Sequence, residues 1–206
     1  MKKLYLSLIL ALVVALCAGQ AAMAAGWEVN VSAPAGDKAA VAKALTGQQS
    51  VDLHLAAYLG RQANEEGGTD YCVLVKADPA NKDKVPYYAL AYVSVNKKGS
   101  AMLRGWSKLT GVGLNSRWTL TRSSRMTYAQ SQSLKKRLTS QDGASFKWVG
   151  YLGYRGSRQN AQHCILYRVT TPGSQPSLQL VYVNTRSGAS VKVSNAVELD
   201  IAAYAK

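Results

Sequence analysis

With 206 residues, 25 Lys and Arg against 11 Asp and Glu, and a formal net charge of +14, the chain is basic and long enough for one domain or two small ones. It holds only three cysteines and two histidines, and none of them gathers with carboxylates at the spacings that metal centres use. A basic balance of this size serves solubility and also attracts anionic partners.

Lys2 and Lys3 precede an almost wholly apolar run from Leu4 to Cys17, and small residues ending in Ala22-Met23-Ala24 follow. This is the pattern of a secretory signal peptide spanning 1–24. The run is shorter than the roughly 20 residues that a membrane-spanning helix needs. The expectation is an exported protein, periplasmic or secreted, with no transmembrane segment once the signal is removed. Beyond the leader the charge is unevenly placed: ten basic residues face eight acidic ones between 25 and 112, but thirteen face three between 113 and 206.

Trp27 opens a short strand-like segment, and a helix is expected next, with Asp37 as its start signal and Val41 and Leu45, four apart, on one face. Val51, Leu53 and Leu55 then alternate with Asp52 and His54, the pattern of a strand with one wet face. Tyr58-Leu59-Gly60 leads into a polar bend, after which Cys72 opens an apolar run. A further strand starts at Tyr87 behind Pro86, a position where proline is tolerated, and ends in the turn Asn96-Lys97-Lys98-Gly99. The glycine-rich stretch 104–116 reads as a junction, with Trp106 expected to pack into an interface between the halves.

The second half repeats this order. Trp118 leads, Leu134 and Leu138 mark a helix face, Phe146 and Trp148 alternate with Ser145 and Lys147, and Tyr151-Leu152-Gly153 precedes a second bend and Cys164. An offset of 93 residues carries Leu53 onto Phe146 and Tyr58 onto Tyr151, and it falls to 92 at the cysteines. Each half therefore reads as an α+β unit, one helix followed by about four antiparallel strands. Matching positions are no evidence that Cys72 and Cys164 lie close together, and buried free thiols are favoured over a bridge.

The run Asn64-Glu65-Glu66-Gly67-Gly68-Thr69-Asp70-Tyr71 sits at the bend between the first two long strands. A tryptophan-led strand, a helix and a meander with this bend resemble the cystatin fold, whose bend carries Gln-x-Val-x-Gly and then an Asn-Tyr pair. Gly68 and Tyr71 agree, while Asn64 stands for the Gln, Glu66 for the Val and Asp70 for the Asn. Small secreted bacterial proteins of cystatin-like pattern are similar as well, with Tyr-Cys and Lys-Ala after the bend as in Tyr71-Cys72 and Lys76-Ala77. The resemblance implies two tandem cystatin-like units, 25–112 and 113–206, each with one helix packed on an antiparallel sheet. It also implies a protein-binding module, in its narrow form a protease inhibitor with a degenerate motif. The docking edge would comprise Gly26, Asn64, Glu65, Glu66, Gly67, Gly68, Asn96, Lys97 and Gly99.

The basic second half offers an alternative. Arg117, Arg122, Arg125, Lys135, Lys136, Arg137, Arg155 and Arg158 would contact an anionic envelope lipid, a glycan or an acidic protein. Aromatic residues suited to base stacking are not interleaved with them, which places nucleic acid lower. No enzyme, cofactor or metal is expected. His163 and Cys164 are strand neighbours that point to opposite faces, Glu65 and Glu66 are adjacent rather than set across a cleft, and no phosphate-binding loop occurs.

Overall fold

The computed structural model describes residues 26–139, 143–157 and 159–201. The signal-peptide reading at 1–24 lies outside them. The chain divides into two compact units. In the first, β1 (Glu28–Val29), α1 (Ala35–Leu45), β2 (Val51–Ala63), β3 (Thr69–Pro79), β4 (Tyr87–Val95) and β5 (Ala101–Lys108) form an antiparallel sheet in the order β1-β2-β3-β4-β5. In the second, β6 (Thr119–Leu120), α2 (Tyr128–Thr139), β7 (Ser145–Gly156), β8 (Ala161–Thr170), β9 (Ser177–Thr185) and β10 (Val191–Glu198) pair in the order β6-β7-β8-β9-β10. Among the described residues no helix is long and apolar enough to cross a membrane.

This architecture corrects the α+β expectation of a helix packed on about four strands. The chain is β-rich, with two five-stranded antiparallel sheets and, among the described residues, two short helices. One reason is that the tryptophan-led segments add a fifth, two-residue strand to each sheet, pairing Val29 with Gly60 and Leu120 with Gly153. The other is that the central strands are buried on both faces. Val73 and Val75 of β3 join a core cluster with Val41 and Leu45 of α1, yet Cys72 and Leu74, which point the other way, are equally buried. β8 does the same, with Ile165 in the cluster on the α2 side and Cys164 and Leu166 buried opposite. Strands buried on both faces read as continuous apolar runs. The sheet supplies most of the core, and α1 contributes only Val41 and Leu45 as buried side chains.

The Tyr-Leu-Gly triplets acquire a steric reason at this point. Gly60 and Gly153 sit next to irregularities in the β2–β3 and β7–β8 registers, facing Cys72 and Cys164. A Cβ on Gly60 would fall 3.0 Å from the Glu28 carbonyl oxygen, and one on Gly153 would fall 2.5 Å from that of Thr119. Only glycine lets the short outer strand come this close. Tyr58 and Tyr151, two residues earlier, pack into the cores on the helix side.

The two helices are anchored by different chemistry. α1 starts after Pro34 without a side-chain cap, earlier than Asp37 suggested, and Asp37 instead accepts a hydrogen bond from the Tyr71 hydroxyl. α2 begins with a reciprocal capping box: Thr127 N donates to Gln130 Oε1 (2.9 Å) and Gln130 N donates to Thr127 Oγ1 (3.2 Å). Gln130 Nε2 also donates to the Arg186 carbonyl oxygen (3.0 Å), which ties the start of α2 to the β9–β10 turn. Trp106 lies on β5 and packs against the first unit's own core. Cys72 and Cys164 are free and buried, and burial pushes both thiols up to about 12.

Candidate functional site

Alternation along a strand sends successive side chains to opposite faces, so the last residues of β7 and β9 and the first of β8 fix what each face carries at that end of the second sheet. Arg155 pairs with Gln162, and Gln162 pairs with Asn184. This cross-strand row points away from α2. Arg117, just before β6, and Arg186, just after β9, complete a concavity of about 980 Å³ that is also lined by Asn160. Arg155 lies over the buried Trp118 ring, 5.4 Å from its centroid, a cation–π contact that orients the guanidinium.

The charge balance here is one-sided. Between 115 and 199 the acidic residues are Asp142, outside the described residues, and Glu198. Glu198 pairs with Gln179, five residues along β9 from Asn184 and therefore about 17 Å away along that strand. Among the described residues no carboxylate forms an ion pair with Arg117, Arg155 or Arg186. The matching row of the first unit is built differently. Gln62 pairs with Asp70 and Asp70 with Ser94. The Asp70 carboxylate accepts hydrogen bonds from Asn64 Nδ2 (3.1 Å) and Ser94 Oγ, and Arg104 Nε donates to Ser94 Oγ (3.1 Å). Where the first unit has Asp70, the second has the neutral Gln162.

On the α2 side of the same sheet end lies a second concavity of about 1200 Å³, whose lining includes Arg125, Gln130, Tyr154, Ser157, Gln159 and His163. Its floor is a directed chain of hydrogen bonds. The Thr185 hydroxyl donates to the Ala161 carbonyl oxygen (3.4 Å), so it accepts from His163 Nε2 (2.9 Å), and His163 Nδ1 then accepts from the Tyr151 hydroxyl (2.6 Å). Burial lowers the His163 pKa from 6.5 to about 4, so the imidazole is neutral near pH 7 and carries its proton on Nε2. Burial also pushes the Tyr151 phenol up. Arg125 stacks over the Tyr154 ring, 4.6 Å from its centroid. Gly156, Ala161 and Thr185 line both concavities and form the rim between them.

The basic residues singled out from the sequence are thus partly assembled. Arg117 and Arg155 share the first concavity and Arg125 lines the second. Lys135, Lys136 and Arg137 lie exposed on the outer face of α2, opposite the buried Leu134 and Leu138, and line neither concavity. Arg122 is exposed in the segment before α2, and Arg158 lies outside the described residues. Arg186, Gln162 and Asn184 were missed. Pairing across β7, β8 and β9 is what brings them to Arg155, and no local spacing encodes it.

The residues of the expected docking edge come to one end of the first sheet. Asn64 and Asn96 make equivalent turns, with Gly67 N donating to the Asn64 carbonyl oxygen (2.9 Å) and Gly99 N to that of Asn96 (2.9 Å). Asn64 Oδ1 also accepts from Gly68 N (2.7 Å). The Lys97 side chain lies against Gly67, where a Cβ would come within 2.6 Å of its Nζ. Glu65 and Glu66 are exposed, Glu66 is 4.0 Å from Arg104, and Gly26 abuts Gln62. Of the two histidines, His54 sits 3.3 Å from Asp78 on the open side of β2, and His163 is the buried one. Among the described residues no group of three His, Cys, Asp or Glu could hold a metal ion.

No protein-family model and no curated protein matches the sequence.

Proposed function

We propose that the protein is a non-enzymatic binding protein that acts after export and takes an anionic group at the concavity formed by Arg117, Arg155 and Arg186. The observation that carries this reading is three arginines lining one concavity with Gln162 and Asn184, with no paired carboxylate among the described residues. Guanidinium groups bind carboxylate, sulfate and phosphate oxygens in a planar fork, and the neighbouring carboxamides supply donors that carry no charge of their own. Gln162 supports the same reading, because a carboxylate at that position, where the first unit has Asp70, would offset part of the positive charge.

The test is calorimetric titration of the full chain with a heparin-like oligosaccharide, at low and at physiological salt. Replacing Arg155 and Arg186 by Gln should abolish most of the binding. Replacing Lys135, Lys136 and Arg137 by Gln, which removes more charge, should leave most of it. If the helix variant loses as much as the concavity variant, attraction is only a matter of net charge and the proposal fails.

A second reading is favoured by one observation: the Asn64–Gly68 bend, the Asn96–Gly99 turn and Gly26 gather at one end of the first sheet. In this reading that end docks a protein, and the resemblance to cystatins makes papain-type proteases the first to assay. The exposed Glu65 and Glu66 at the tip would need basic groups opposite them, because desolvating unpaired carboxylates costs several kcal/mol. If such proteases keep full activity in excess protein, the inhibitor form of this reading is refuted.

A further inference from the structure

We infer that the anionic ligand is an extended acidic polysaccharide that runs through both concavities of the second unit, crossing the end of the sheet over the rim of Gly156, Ala161 and Thr185. This rests on the anion-binding reading above and specifies its substrate class. The decisive geometry is that the two basic stations face opposite sides of one sheet. Gln162 and Asn184, beside Arg155, point away from α2, whereas their neighbours His163 and Thr185 point toward it, into the concavity that holds Arg125. A planar anionic surface such as a bilayer touches one side of a sheet at a time. A flexible chain bends round the end and reaches both.

Size and lining point the same way. Concavities of about 980 and 1200 Å³ far exceed the space of a lone sulfate or carboxylate. The polar groups that line them are mostly uncharged: Asn160, Gln162 and Asn184 on one side, Gln159, Ser157 and Ser187 on the other. Carboxamides and hydroxyls each both donate and accept, which suits a ligand rich in hydroxyls with a charge at intervals. The His163–Thr185–Ala161 hydrogen-bond chain beneath the rim fixes its shape, and rigid placement lowers the ordering cost of binding. Arg125, held against Tyr154, is the second charged station.

The experiment titrates the full chain with uronic acid oligosaccharides of increasing length, from disaccharide to octasaccharide, with polyglutamate and anionic phospholipid vesicles at matched charge as the other arms. Affinity should climb steeply with length until both stations are filled and then level off. Arg125→Ala should remove the gain of the longer oligosaccharides, about tenfold or more, while leaving disaccharide binding intact. Arg155→Ala should weaken every length. A disaccharide that binds as tightly as the octasaccharide, or an Arg125→Ala variant with an unchanged length series, overturns the extended path but leaves the single anion site standing. Tighter binding of polyglutamate or vesicles overturns the assignment to a polysaccharide. No binding of any probe removes the anion-binding reading itself.

Discussion

His163 makes the stability of the second unit depend on pH in a direction that can be worked out. Its pKa falls from 6.5 to about 4 because burial disfavours the imidazolium. The unfolded chain therefore binds the proton first as pH drops, so this contribution to stability is complete above about pH 6.5 and is lost progressively toward pH 4. At about pH 4.5 the unfolded site is protonated and the folded site mostly is not, a loss of about 2 to 3 kcal/mol relative to neutral pH. Urea unfolding of the wild-type chain and of His163→Gln, compared across that range by tryptophan fluorescence, isolates the effect from the titration of carboxylates. The variant should be less stable near neutrality, since it meets Tyr151 and Thr185 less well, and the two curves should converge toward acid. Parallel curves would refute a buried neutral imidazole, as would an imidazole nitrogen spectrum showing a doubly protonated ring at about pH 5.5.

Gly68→Ala should destabilise the first unit by about 2 kcal/mol in urea unfolding, since the added Cβ would meet the Val95 carbonyl oxygen and fall 2.8 Å from Asn96 Cα. Tyr71→Phe, which removes the hydroxyl bonded to Asp37, should cost about 2 kcal/mol by the same measurement. Cys72 and Cys164 should ignore a thiol reagent at about pH 8 in the folded protein and react on unfolding, because the thiolate is the reactive form.

Much of the layout was legible in the residues. Val41 and Leu45 do share a buried helix face, as do Leu134 and Leu138, and the apolar runs at Cys72 and Cys164 are strands. The fold class was not, because a strand buried on both faces lacks the alternation that marks a sheet surface, and a two-residue strand such as Thr119–Leu120 is too short to carry any period. The site was half legible. Arg117 and Arg155 stood out as charges, but Arg186, Gln162 and Asn184 join them only through the β7–β8–β9 register, a long-range property. The Asn64 and Asn96 turns were visible because their chemistry is local.

The sheets are plain meanders in which every strand pairs with its neighbours in sequence, so nearly all pairing is local and early folding should be quick. Ile201 is the exception. It is only 2% exposed, its carbonyl accepts the Tyr92 hydroxyl at 2.8 Å, its side chain fills the space beside Gly60, and it belongs to the unit formed by residues 26–114. The first unit is therefore closed by a residue made only after the entire second unit. During synthesis the space beside Gly60 and the Tyr92 hydroxyl wait for Ile201. The order of completion thus inverts the order of translation.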